Sequence, residues 1–404
     1  MTKARRGSTA PMPPRSRLTA FDGLRAVAAL SVLAYHVGLA EGLSRRGMMA
    51  PFIAELKAGV AVFFVISGCL LYLPYARALC TGGPLPDWRG YAHRRALRIL
   101  PGYWVALTIL ALGPLAASVI TPNWWRYYAL AQIYNSDTVM GGLGVAWSLC
   151  VEVSFYAMLP LLAIAVARLA RAQRRTTAVG VQAAVLALLA ICSVAIRFVL
   201  AGSVAAPIPH SGFVTATALT GFLDWFAAGM GLALLTSVWE SGGRRLWWVA
   251  QLAARSTTCW ALALAAFTAG ALAQGGDLFL PLAGLTAHLA AGLGALLIVL
   301  PAVAPDQADA PAGVLRILRH PLALWLGAVS YGIYLWHVPL LQAIHGPLAG
   351  VPAHPADLMS AVGLLVLVTA GAIVLGAASW YLVEQPARRL FAPARKLEPV
   401  VARG

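Results

Sequence analysis

Arg25 and His36 share one apolar stretch, FDGLRAVAALSVLAYHVGLA, with ten residues between them. Eleven helical steps make about 16 Å of rise and nearly three whole turns, so the two side chains share a face. A guanidinium is a permanent cation suited to phosphate. An imidazole takes up and returns a proton near neutral pH. A charged side chain at the centre of a membrane helix costs roughly 2.5–3.5 kcal/mol on insertion scales and is seldom carried without a partner or a task.

Five other constellations carry chemistry-bearing residues. In HRRALRILPGYW, Arg95 and Arg98 stand three apart, hence side by side on a helix. Two guanidinium forks there suit phosphate, although such a cluster also reads as a topology signal that meets lipid head groups. In GVAWSLCVEVSFYAMLPLL, Glu152 lies one turn after Ser148 and one turn before Tyr156, all on one face. An intramembrane carboxylate is a functional candidate, with a structural hydrogen bond as the plain alternative. SYGIYLWHVPLL contains His337 with Tyr331, Tyr334 and Trp336, which reads as a packed, satisfied histidine. Glu384 in WYLVEQPARRL reads as a helix stop with a surface ion pair to Arg388 or Arg389. Ser67 and Gly68 in FFVISGCLL read as small residues for helix packing.

The elements that must position these residues are membrane helices. The chain of 404 residues is 60% hydrophobic and 11% charged, with mean hydropathy +0.77. Soluble domains carry about 25% charged residues. The net charge of +16 does not imply nucleic acid, because the basic residues sit in short clusters between apolar runs. Cys69, Cys80, Cys150, Cys192 and Cys259 are scattered without a CxxC, so neither disulfides nor a metal site is expected.

Ten runs are long enough to span a bilayer: 20–40, 57–79, 98–120, 144–167, 180–201, 214–236, 247–270, 278–301, 321–345 and 358–383. Basic residues cluster in alternate connections: Lys3, Arg5, Arg6, Arg15 and Arg17; Arg77, Arg89, Arg94, Arg95 and Arg98; Arg168, Arg171, Arg174 and Arg175; Arg244, Arg245 and Arg255; Arg316 and Arg319; Arg388, Arg389, Arg395, Lys396 and Arg403. That alternation puts both termini in the cytoplasm. The expected architecture is an all-α, polytopic bundle of about ten transmembrane helices. It comprises a disordered basic leader at 1–19, one membrane domain at 20–390 and a basic tail at 391–404. No repeated halves are visible. The segment 121–143 carries Trp124, Trp125, Tyr127 and Tyr128, which suit a short interfacial helix.

Depth then orders the candidates. Helix one runs outward, so Arg25 shares a cytoplasmic layer with Arg95 and Arg98. Helix four runs inward, which puts Glu152 near His36 in a non-cytoplasmic layer. A cationic floor suits a cytoplasmic polyanion on a thin arm, such as acyl-CoA, whose thioester reaches upward to a general base.

The stretches FDGLRAVAALSVLAYHVG, GVAVFFVISGCLL, RRALRILPGYW, AWSLCVEVSFY, SYGIYLWHVPLL and WYLVEQPARR occur in the order found in the membrane acyltransferase-3 family, over about 20–390. The chain strongly resembles that family, which includes O-antigen, peptidoglycan and macrolide O-acyltransferases. The resemblance implies a ten-helix bundle that moves an acyl group, often acetyl, from acyl-CoA to a hydroxyl. It implies His36 as catalytic with Arg25 as companion, Arg95 and Arg98 on the acyl-donor side, and Trp147, Ser148 and Glu152 as the motif of the fourth helix. The appended hydrolase-like domain of a common subset is not expected here. Small acceptors such as antibiotics, or a glycan handled without a helper domain, are both left open.

The expected function is a multi-pass O-acyltransferase of the cytoplasmic membrane. His36 is the general base, Glu152 orients the imidazole or the acceptor, and Arg25, Arg95 and Arg98 hold the donor, with Tyr156 and His337 in support. Acyl-CoA (acetyl-CoA) is a co-substrate rather than a permanently bound cofactor. The acceptor is a glycan, glycoside or macrolide hydroxyl, and membrane lipids surround the chain. The alternative is a proton-coupled transporter or flippase using His36, Glu152 and His337 as a relay.

Overall fold

The computed structural model describes residues 19–44, 47–113, 115–170, 175–202, 214, 217–242, 246–273, 282–304, 314–346 and 358–391. The basic leader, most of the tail and the charges at Arg171, Arg174, Arg244, Arg245, Arg395, Lys396 and Arg403 lie outside them. All regular structure among the described residues is helical. Where no water can satisfy a backbone, a helix closes its own hydrogen bonds.

The helices are α1 (Thr19–Ala40), α2 (Ala50–Glu55), α3 (Gly59–Thr81), α4 (Trp88–Leu112), α5 (Trp124–Tyr128), α6 (Trp147–Ala170), α7 (Arg175–Gly202) and α8 (Leu223–Glu240). They continue with α9 (Trp247–Ala254), α10 (Ser256–Leu272), α11 (Leu282–Val299), α12 (Val314–Leu318), α13 (Pro321–His345), α14 (Leu358–Ser379) and α15 (Gln385–Leu390). A π-helical turn, Trp380–Glu384, joins the last two.

Eight described segments are long and apolar enough to cross a membrane: Thr19–Ala40, Ala50–Thr81, Trp88–Leu112, Gly144–Ala170, Thr177–Val199, Gly284–Val303, Pro321–His345 and Met359–Leu390. The sixth and seventh expected spans differ. α8 has 18 residues and carries Asp224 and Glu240. The seventh run breaks at Arg255, which leaves the helical region at φ −99°, ψ 72°, so α10 has only 17 residues. The third run also starts about ten residues earlier than expected. Asp87 caps α4, accepting from the backbone N–H groups of Gly90 at 2.8 Å and Arg89 at 3.2 Å. Those two bonds hold its exposed carboxyl below the usual carboxylate range. Arg95 and Arg98 therefore sit about two and nearly three turns inside a helix rather than at its start.

Small residues set the closest helix approaches. On α3 and α8, Gly68 lies against the Phe226 backbone and Gly229 against the Val65 backbone, leaving no room for a Cβ on either. α13 and α14 meet at Gly332 and Gly376 in the same way. Phe64, Phe155 and Phe226 stack through the middle of the core. Outward faces of α6, α7, α10 and α14 expose Leu161, Ile191, Leu264 and Val374, apolar surface fit for lipid. The expected aromatic helix is α5. It is pinned to α4 by Tyr103 Oη donating to Tyr127 O (2.7 Å) and Trp104 Nε1 donating to Tyr128 O (3.0 Å), while Trp124 and Trp125 stay exposed.

Candidate active site

A cavity of about 350 Å³ lies between α1, α3, α4, α6 and α13. It brings together Arg25, Arg95, Arg98, Ser148, Glu152 and Tyr156, six of the nine residues expected to carry or support the chemistry. Phe63, Tyr331 and Tyr334 form its aromatic wall.

The charges are unevenly paired. Arg25 donates to Asp22 Oδ1 at 2.9 Å, one turn before it on α1. Arg25 is 14% exposed and Asp22 is 44% exposed. Glu152 Oε1 accepts a short bond, 2.5 Å, from Ser67 Oγ. Ser67 is therefore a polar partner in the cavity as well as a small residue beside a packing glycine. By contrast, Arg95 and Arg98 form no hydrogen bond or ion pair among the described residues, and the Nε of Arg95 is buried without a partner. Both line the cavity, so they offer two open guanidinium forks from one face of α4.

α4 is held in place beside these forks. Pro101 removes one backbone donor from the helix ladder. Tyr331 Oη on α13 donates to Ile99 O at 2.7 Å, one residue past Arg98. Behind them, Glu384 is fully buried rather than on the surface. It accepts from Ser379 Oγ at 3.2 Å and lies 3.8 Å from Arg388 Nη2. The π-turn that carries it is a local widening of the helix of the sort frequent at functional sites.

At the other end, Ser148 Oγ and Tyr334 Oη lie 2.7 Å apart, and Tyr334 Oη also reaches Val145 O at 3.2 Å. These bonds seat the start of α6 inside the bundle, where Val145, Ala146 and Ser148 are buried. The expected depth of Glu152 is corrected by this seating. It lines the cavity with the arginines rather than sharing a layer with His36, because the contact of Ser148 with Tyr334 draws the start of α6 into the bundle.

His36 is not among the lining residues of the cavity. It faces His337 on α13, with His36 Nδ1 3.2 Å from His337 Nε2 and ring centroids 5.0 Å apart. Tyr334, one turn before His337, stands between that pair and the cavity, with Phe63 edge-on to it at 5.8 Å. His337 is packed and satisfied as expected, but its partner is the other histidine. Among the described residues no hydrogen bond joins Glu152 to His36, and the side chain that lies against the His36 ring is His337. Trp147 lies outside the lining, against Phe222 at 5.5 Å.

Sequence reasoning passed over Asp22, Ser67 and Tyr331 as partners. Asp22 carried a readable signal in its three-residue spacing from Arg25. Ser67 and Tyr331 had only their polarity within apolar runs.

The chain is similar to several curated bacterial proteins. It is 27% identical to nodulation protein 10 of Rhizobium leguminosarum over 401 residues, covering 92% of this chain and 93% of that protein. YrhL of Bacillus subtilis, provisionally named a peptidoglycan O-acetyltransferase, is 28% identical over 347 residues, covering 79% of this chain and 48% of YrhL. The peptidoglycan O-acetyltransferase OatA of Listeria monocytogenes is 24% identical over 169 residues, 36% of this chain and 24% of OatA. The chain thus spans about half or less of the two peptidoglycan-named relatives. No solved structure matches. The acyltransferase-domain family matches residues 18–377, which contain every residue of the cavity and both histidines, and the chain belongs to that acyltransferase-3 family.

Proposed function

We propose that the chain is an integral membrane O-acyltransferase. It moves an acyl group, with acetyl as the first candidate, from acyl-CoA to a hydroxyl of a carbohydrate, glycoside or antibiotic-like acceptor. The observation that carries this reading is the pair of open forks, Arg95 and Arg98, in one cavity with Arg25 and Glu152 and one aromatic layer from His36. Family membership and the O-acetyltransferase names of two relatives support it.

In this reading Arg95 and Arg98 hold the donor's phosphates or pantetheine, with Arg25 beside them. The thioester extends past Phe63 and Tyr334 toward His36. The acceptor oxygen forms a bond to the thioester carbonyl carbon and the carbon–sulfur bond breaks. The hydroxyl proton passes to His36 and from it to the departing thiolate, leaving an ester and CoA. Glu152, held by Ser67, orients the acceptor from the cavity. The basic clusters favour cytoplasmic termini and a cytoplasmic donor.

The test uses purified protein in nanodiscs with labelled acyl-CoAs and a panel of glycosides. His36→Ala should abolish transfer while CoA still raises the melting temperature. General bases contribute about 10²–10⁴-fold, so activity within a few-fold of the parent rejects the role.

A further inference from the structure

The two histidines constrain one another's protons. His36 Nδ1 lies 2.9 Å from Val32 O and 3.2 Å from His337 Nε2. His337 Nδ1 lies 3.2 Å from Ile333 O. A carbonyl oxygen only accepts, so each ring must carry its proton on Nδ1. With both rings neutral, the Nε2 of His337 is then bare and accepts from His36 Nδ1–H, which it shares with the Val32 carbonyl. The one lone pair left on the His36 ring for an incoming proton is at Nε2.

We infer that His337 is a positioning residue that holds His36 in the tautomer with a bare Nε2, and that it accepts from His36 Nδ1–H while Nε2 takes up the proton. This rests on the reading of His36 as the general base. The choice of partner has a physical logic. His337 is 0% exposed, and a carboxylate at that site would bury a full negative charge while the base is neutral. An imidazole supplies an acceptor without net charge, and the pair becomes cationic only while the proton is held. Tyr334 limits the freedom of His337 from the cavity side, with ring centroids 5.6 Å apart and its hydroxyl tied to Ser148. Tyr35 sits edge-on to His36 at 5.0 Å. The His36 ring is thus held by its own helix, by α13 and by a neighbouring aromatic.

The experiment combines ¹⁵N-histidine NMR with steady-state kinetics on the full chain in nanodiscs. The parent should show the His36 resonance pattern of an Nδ1-protonated ring. An Nε2-protonated ring in the parent overturns the inference without any variant. His337→Leu removes the acceptor, and His337→Gln keeps one on a side chain of similar reach. His337→Leu should lower kcat on the order of 10–10²-fold, part of what a general base supplies, with the donor KM unchanged and a mixed His36 tautomer. His337→Gln should recover most of that loss and restore the Nδ1–H pattern. Equal losses in the two variants with the parent tautomer in both, or parent-like kcat in His337→Leu, overturn the positioning role. His36→Ala is run in parallel. If it is inactive while the His337 variants match the parent, the base reading stands and this inference falls. If it retains activity, the base reading itself has failed.

Discussion

Ser67 and Glu152 are the most direct place to measure what the cavity's polar groups are worth. The Ser67 hydroxyl donates to Glu152 Oε1 at 2.5 Å, and Ser67 is 8% exposed. A hydrogen bond to a charged acceptor contributes about 1.5–3 kcal/mol. Glu152 is only half-buried and water can replace part of the bond, which lowers the expected coupling to about 1–2 kcal/mol. At about 1.4 kcal/mol per tenfold, that is roughly 5–30-fold in kcat/KM. The perturbation is a cycle of Ser67→Ala, Glu152→Gln and the double variant, read by acyl transfer and by thermal unfolding in detergent. If the pair acts as one unit, Ser67→Ala should lose most of its effect once Glu152 is already Gln. Losses that simply add, with coupling below about 0.3 kcal/mol, would refute the argument and reduce Ser67 to a packing residue.

Further outcomes follow from the floor and from the helix contacts. Arg95→Gln, Arg98→Gln and Arg98→Lys should each weaken acyl-CoA binding in titrations, the last because an ammonium keeps charge but loses the two-pronged geometry. Unchanged binding in all three would leave these arginines as topology signals alone. Gly229→Leu should prevent or severely weaken folding, seen as lost monodisperse protein on size exclusion, since a Cβ there already meets the Val65 backbone. Because His36 lies about 16 Å beyond Arg25 along α1 and outside the cavity that holds the arginines, an impermeant acceptor in sealed vesicles of known orientation, with acyl-CoA on the cytoplasmic face, should be modified from the opposite face or from the lipid phase. Product formed only from cytoplasmic acceptor would overturn that direction.

Local sequence made the membrane class and six cavity residues readable, because polarity is expensive inside apolar runs and helical spacing keeps Arg95 and Arg98, or Ser148, Glu152 and Tyr156, on common faces. Pairings across the chain were not readable in the same way. Ser67 and Glu152 are 85 residues apart, and His36 and His337 are 301 apart. No periodicity links such positions. Depth failed for a specific reason. It assumed that each helix starts at a membrane surface, whereas α6 starts inside the bundle on the Tyr334–Ser148 contact and α4 starts two turns before Arg95. The break at Arg255 had a signal that the count of ten runs passed over, the polar stretch Arg255, Ser256, Thr257 and Thr258 inside the seventh run.

Tyr331, Tyr334 and His337 ride on the same helix at three-residue intervals, so α13 acts as a ruler. One mark touches the Ile99 backbone beside the arginines, one caps the cavity and one holds His36. Six residues of helix fix the first and last marks about 9 Å apart along the axis. Inserting a single residue between them would swing His337 by about 100° and detach it from His36. The reach between floor and histidine therefore cannot be lengthened by small changes in this helix. Any tuning of that reach has to come from the side chains in between, and Phe63 and Tyr334 are the two that fill the gap.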